Sequence, residues 1–354
     1  APPALEVVHR YPHEPVRHVD GSIRWDFDRL MEETVAGLRL GLEQGPVASI
    51  GVDTWGVDYG LLDTTGRLVA PPFSYRDDRT EGYETVVERV GADRLYGIAG
   101  LQLVPFNTIF QLAAHDPDEL SRAAHVVLLP DLVAHLLGGG ALTGELTMAG
   151  TTGLLDVRAR DWSPELFDAI GIEASMLPPV ALPGLVVGAF EGVPIRLVGG
   201  HDTASAVAAG ADEGAAFVSA GTWLLVGVER DEPDLSPAAQ AGNLTNELGV
   251  EGQIRFLRNV AGWWLVEECR RGWGAPDLDA LLRGAADAPA DVVTFDATDD
   301  RFLAPADMAA EIIDAAGLPT GADRATIVRC AVESLSLIQI SEPTRRNQSS
   351  RKPS

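Results

Sequence analysis

Apolar residues recur along this chain in short runs punctuated by glycine and proline, and the spacing within each run separates strands from helices. Leu30 to Leu42 carries its apolar positions at helical spacing. Ser49 to Asp53 is an apolar run that opens into Thr54-Trp55-Gly56-Val57-Asp58, followed by Tyr59 to Leu62 and the turn Asp63-Thr64-Thr65-Gly66. That order predicts a hairpin with polar groups at its mouth. Asp77 to Val90 predicts a further helix with its charges on a solvated face. Pro130 to Leu137 predicts another, started by proline and stopped by Gly138-Gly139-Gly140, in which Asp131 reads as a first-turn acid. Thr143 to Leu155, rich in threonine and glycine, either presents hydroxyls to a ligand such as a sugar or turns the chain.

After a proline-bearing connection from Pro178 to Pro194 the pattern begins again. Pro194 to Val198 is a short apolar strand ending at Gly199-Gly200, and Ala204 to Ala209 is compact and helix-compatible. Ala216 to Ala220 and Leu224 to Val228 form strands about a turn at Gly221-Thr222-Trp223. Arg255 to Val260 leads into an amphipathic helix from Gly262 to Arg271, and Ala325 to Leu337 forms a last helix. Alternating strands and helices predict an α/β protein. The repeated start places a boundary near residues 195 to 210, giving domains 1–200 and 201–340, and a boundary between domains is a favoured ligand site.

A length of 354 residues suits two such domains, and a formal charge of −25 argues against broad electrostatic binding to nucleic acid or an anionic membrane. Cys269 and Cys330 stand far apart with no CxxC, which reads as structural thiols in a cytoplasmic protein. The most apolar stretch, Val126 to Leu137, is interrupted by Pro130, Asp131 and His135 and is too short to span a bilayer. Lys352 is the only lysine. Its isolation excludes a Walker P-loop, a pyridoxal Schiff base and a kinase-type strand lysine in the sequence ahead of it, so phosphate must be held by backbone N–H groups, hydroxyls, arginine or a metal. Lys352 also marks a basic, polar run from Ser341 to Ser354 that differs from the acidic chain before it, and composition predicts an unstructured, foreign-looking tail there.

Against that background, Gly200-His201-Asp202-Thr203-Ala204-Ser205-Ala206 puts an imidazole and a carboxylate where a strand gives way to a helix. Backbone N–H groups and the helix dipole at such a junction favour an ionised carboxylate. Local pattern leaves two readings of Asp202 open: a base for proton transfer, with His201 beside the substrate, or an N-cap with His201 as a packed turn residue.

Three segments now stand in order: Asp53-Thr54-Trp55-Gly56-Val57-Asp58, then His201-Asp202-Thr203-Ala204-Ser205-Ala206-Val207, then Ser219-Ala220-Gly221-Thr222-Trp223. With Phe73-Ser74-Tyr75-Arg76-Asp77, Pro105-Phe106-Asn107-Thr108, Leu129-Pro130-Asp131 and Asn259 ahead of Trp264-Leu265, the chain resembles the FGGY family of carbohydrate kinases over residues 5 to 337, and within it the members that act on L-rhamnulose. The resemblance implies an actin-like ATPase architecture of two ribonuclease-H-like domains, with Mg-ATP (ATP and Mg²⁺) as phosphoryl donor and a ketose as acceptor. It implies Asp202 as catalytic base, with Gly56, His201, Thr203 and Asn259 as substrate contacts converging in a cleft. Gly221 and Thr222 match nucleotide-phosphate contacts. Glu267 stands where these kinases commonly carry a glutamine near the nucleotide, and an anion there needs to face away or pair with Arg270 or Arg271. The family's opening Asp-Leu-Gly hairpin, the likeliest source of a magnesium ligand, and its glycine-rich adenosine region have no match. The expectation is therefore a chain cut at both ends, with an incomplete nucleotide domain and weak or no turnover. A kinase for another ketose, such as L-fuculose or L-xylulose, and a non-catalytic sugar-binding relative are the rival readings.

Overall fold

In the computed structural model, which describes residues 5–210, 216–221, 223–289, 291–302 and 305–349, the chain divides into two compact units. The first comprises Ala1–Ala215 with Val228–Phe256, and the second Ala216–Gly227 with Leu257–Ser354.

The first unit opens its core with the helix Phe27–Glu43, one turn longer at its start than apolar spacing alone indicates because the Asp26 carboxylate accepts the Arg29 N–H. The hairpin expected from Ser49 to Leu62 does not form. Tyr59–Leu62 instead pairs antiparallel with His125–Leu128, whereas Ile50 and Thr54 make parallel bridges to Ile195 and His201. Two physical causes favour this pairing. Asp58 N–H closes on Gly56 O at 2.9 Å and Val57 adopts φ 69°, a tight turn that redirects the chain. The apolar partners Val126, Val127 and Leu128 then bury both faces of the ladder.

Asp77 to Val90 also departs from expectation. It is a 3₁₀ turn, Asp78–Thr80, and a separate helix, Glu84–Val90, because Gly82 at φ +83° lies outside helical space. The helix Leu129–Gly138 forms where the sequence places it, with Pro130 in its first turn and Gly139 ending it at φ 62°. Its glycine run has a second use. A Cβ on Gly140 would stand 1.4 Å from the Val187 carbonyl oxygen, so only glycine lets this segment lie against the strand Val186–Phe190. That strand pairs antiparallel with Val193–Arg196, which leads straight into Gly200 and the helix Asp202–Gly210.

In the second unit, helices Trp264–Gly272, Leu278–Asp287, Met308–Ala316 and Arg324–Ser349 surround a core that includes Leu265, Phe302, Ile312 and Cys330. Cys269 and Cys330 are both free and buried, and burial pushes their thiols up to about 12 and about 11, which leaves them inert. The strands Trp223–Arg230 and Ile254–Ala261 run through the unit boundary along the chain. Residues 341–349, read from composition as unstructured, are helical: extending an existing helix requires no new nucleus. No helix among the described residues is long and apolar enough to cross a membrane.

Candidate active site

The site is built on a backbone exchange between the two segments that the sequence singles out. Thr54 N–H donates to Gly200 O and Asp202 N–H donates to Thr54 O, each at 2.9 Å. This pins the turn at the end of the Val193–Arg196 strand beside the Thr54-Trp55-Gly56 loop. The first helical N–H groups, those of Ala204 and Ser205, donate to the His201 carbonyl at 2.8 and 3.1 Å. Asp202 is therefore the first residue of the helix and not its cap. Its carboxylate accepts from the Thr203 N–H at 2.5 Å and the Thr203 hydroxyl at 3.1 Å, and 56% of the side chain is open to solvent. Desolvation by the surrounding protein, with the Asp53 charge adding to it, raises the Asp202 carboxyl above its ordinary value even so. The result is an accessible carboxylate with an increased affinity for protons.

His201 lies beneath it. The ring Nε2 is 3.7 Å from Asp202 Oδ1, and the ring Nδ1 is 3.0 Å from Arg255 Nη2. Arg255 is wholly enclosed and also donates to Glu247 Oε2 at 3.0 Å and to Leu248 O at 3.2 Å. Burial first, and then the Arg255 charge, holds the His201 pKa well below the usual imidazole range. Gly56 completes the group: a Cβ there would stand 3.4 Å from His201 Nε2 and 3.3 Å from the Thr151 hydroxyl. Gly56, His201, Asp202 and Thr203 thus come together on one unit.

Several residues that position this group were not identified in the sequence. Glu145 is buried, and its Oε2 accepts from Thr147 Oγ1 at 2.5 Å, Met148 N at 3.1 Å and Gly200 N at 2.9 Å. Thr147 Oγ1 in turn accepts the His201 N–H at 3.0 Å, and Thr151 Oγ1 accepts the Val57 N–H at 3.2 Å. The threonine-rich segment therefore buttresses both halves of the site. Its composition was the visible signal. The pairing partners were not visible, because they are more than 50 residues away. Trp55 is also placed: its indole N–H, like that of Trp25, donates to the buried Asp58 carboxylate, at 2.8 and 2.7 Å respectively.

Behind Glu145 lies Asp131, in the first turn of the helix Leu129–Gly138 as the sequence indicates, and buried there. Thr143 Oγ1 donates to its Oδ1 at 2.6 Å and Glu145 N–H to its Oδ2 at 3.0 Å. Burial pushes its carboxyl up to about 7, from 3.8. The unfolded chain releases this proton at lower pH than the folded one, so the folded state binds more protons between these values and stability falls as pH rises from about 4 to 7. The contribution is on the order of 4 kcal/mol at the rate of about 1.4 kcal/mol per pH unit. Urea unfolding at pH 5 and pH 8 is expected to show the Asp131→Asn variant gaining stability relative to the native chain at the higher pH. A difference that does not change with pH would rule out a buried protonated carboxyl.

The remaining candidate residues belong to the second unit. Gly221 N–H donates to Trp223 O at 3.0 Å and Gly221 O accepts from Trp263 N at 3.1 Å, forming a tight turn against which Gly262 packs. Thr222 lies outside the described residues. Asn259 is on the strand Ile254–Ala261. Glu267 sits in the first turn of the helix Trp264–Gly272, where its Oε2 accepts from Arg270 Nε at 2.9 Å, so its charge is offset by a neighbour.

Residues 7–219 match the N-terminal domain, and residues 216–339 the C-terminal domain, of the FGGY family of carbohydrate kinases. A rhamnulokinase of Klebsiella pneumoniae (strain 342) is 40% identical over 349 residues, covering 94% of this chain and 71% of that protein. A rhamnulokinase of Bacteroides thetaiotaomicron is 37% identical over 354 residues, covering 94% and 72%. Among solved structures, a ligand-bound xylulose kinase of Lactobacillus acidophilus has a TM-score of 0.72 at 17% identity, covering 92% of this chain and 70% of its own. Plasmodium falciparum glycerol kinase with ADP also has a TM-score of 0.72 at 17% identity, covering 96% and 73%. At these identities the solved structures establish a shared actin-like ATPase fold.

Proposed function

Because the chain belongs to the FGGY family of carbohydrate kinases, and is thus a phosphotransferase using ATP, we propose that its acceptor is L-rhamnulose, phosphorylated on the 1-hydroxyl. The observation that carries this substrate is the 37–40% identity to rhamnulokinases along 94% of the chain. Phosphoryl transfer demands little covalent chemistry from a protein; it needs an in-line alcohol, an acceptor for the alcohol's proton and neutralisation of phosphate charge. Asp202 supplies the second requirement. Its carboxylate is exposed, fixed at the start of a helix by Thr203, and raised in proton affinity by its surroundings. His201, Thr203 and the backbone at Gly56 orient the sugar around it.

From the second unit, the Gly221-Thr222 turn is assigned to the nucleotide phosphates and Asn259 to a polar contact with the sugar. Glu267, neutralised by Arg270, is assigned to the nucleotide side. Among the described residues no group of three or more His, Cys, Asp or Glu side chains forms a metal cluster. Magnesium enters this reading with ATP, as Mg-ATP.

Rates with ATP and a panel of L-rhamnulose, L-fuculose and L-xylulose test the substrate assignment. L-Rhamnulose is expected to have the highest kcat/KM, by at least tenfold. A higher value for either competitor would assign the chain to that ketose instead.

A further inference from the structure

We propose that Arg255 is a positioning residue that fixes His201 as the Nε2–H tautomer, making the ring a permanent hydrogen-bond donor on its Gly56 side. A guanidinium has five N–H donors and no acceptor. With Arg255 Nη2 3.0 Å from His201 Nδ1, that nitrogen must present its lone pair, and the single proton of a neutral imidazole resides on Nε2. Glu247 would favour the opposite tautomer, since its Oε2 is 3.7 Å from Nδ1. Arg255 Nη2 donates to that same oxygen at 3.0 Å and so offsets its charge. Among the described residues, Asp202 stands beside Nε2 and the Asp53 charge acts on Asp202; Glu229 acts on Arg255, and Glu145 lies under the turn, holding Gly200. Enclosure and the Arg255 charge together keep the ring neutral.

The consequence concerns the sugar and rests on the ketose reading above. Nε2 points toward the space between Asp202 Oδ1, 3.7 Å away, and the missing side chain of Gly56, 3.4 Å away. An alcohol oxygen placed there accepts a hydrogen bond from His201 and gives its own to Asp202. Its proton is directed at the base before transfer begins, and its lone pair is partly occupied by a donor that never turns round. Arg255 does this without touching the sugar.

Chain labelled with ¹⁵N-histidine, free of sugar and nucleotide, is the test material, with the His201 signals assigned by their loss in His201→Gln. Between pH 6 and 8 the native chain is expected to show a non-protonated Nδ1 and a protonated Nε2. In Arg255→Met the proton is expected to move to Nδ1, facing Glu247, and the ring to begin titrating in this range; Arg255→Lys should retain the native tautomer. Calorimetry with L-rhamnulose should show at least tenfold weaker binding to Arg255→Met and less than threefold change for Arg255→Lys. A native His201 protonated on Nδ1, or an unchanged tautomer in folded Arg255→Met, overturns the proposal, and the native spectrum alone decides it if that variant does not fold. Should the tautomers behave as stated while L-rhamnulose binds to none of the proteins, the ketose assignment fails and the role of Arg255 stands.

Discussion

Replacing Asp202 by asparagine is expected to lower the rate of ATP-dependent phosphorylation by about 10³-fold, within the roughly 10²–10⁴-fold range that a positioned base contributes. The substitution is nearly isosteric. Asparagine Oδ1 can still accept the Thr203 N–H that the carboxylate accepts at 2.5 Å, so the helix start and the His201 carbonyl bonds beneath it are preserved. What is lost is an anion able to take a proton from the alcohol. The effect should therefore fall on kcat, with the dissociation constant of the sugar changing by less than threefold in calorimetry. Equal loss in kcat and in sugar affinity would instead make Asp202 a binding residue, and an unchanged rate would remove it from the chemistry altogether.

The second large effect is expected at a residue that touches no substrate. Glu145→Ala strands two buried backbone N–H groups, those of Met148 and Gly200, together with the Thr147 hydroxyl. Each stranded buried donor costs about 1–3 kcal/mol, so a destabilisation on the order of 4 kcal/mol is expected in urea unfolding. Thr147 also holds the His201 N–H. Loss of its partner should loosen the turn that carries His201 and Asp202, reducing kcat about tenfold or more where a 1 Å displacement matters. Glu145→Gln retains an oxygen acceptor of the same length and should recover most of both losses. If Glu145→Ala unfolds at the native urea concentration, the three contacts to Oε2 contribute nothing to the fold.

The contrast between these two residues explains what was legible in the sequence. Asp202 stands in a contiguous segment whose strand, glycine pair and helix are local in pattern, and the helix Asp202–Gly210 forms there. The helices Phe27–Glu43 and Leu129–Gly138 were readable for the same reason, since spacing and punctuation are local properties. Glu145 and Arg255 were not, because each acts on the His201 turn from 54 or more residues away in sequence. Asp131 is the first-turn acid that the sequence indicates, but its burial comes from tertiary packing and is not visible in the local pattern. The Ser49 to Leu62 hairpin failed at the same level: local alternation does not say that Tyr59–Leu62 finds more apolar cover beside His125–Leu128. Gly82, by contrast, is a visible break in the Asp77 to Val90 pattern, and its positive φ is the local cause of the interruption.

Both thiols of the chain lie in the second unit, enclosed in its core, while the first unit has neither. Alkylation of Cys269 or Cys330 therefore requires that core to open. A maleimide pulse during urea exposure timestamps the loosening of that half alone and is blind to the half that carries Asp202. The native chain thus contains its own regional reporter of unfolding, with no engineered label needed.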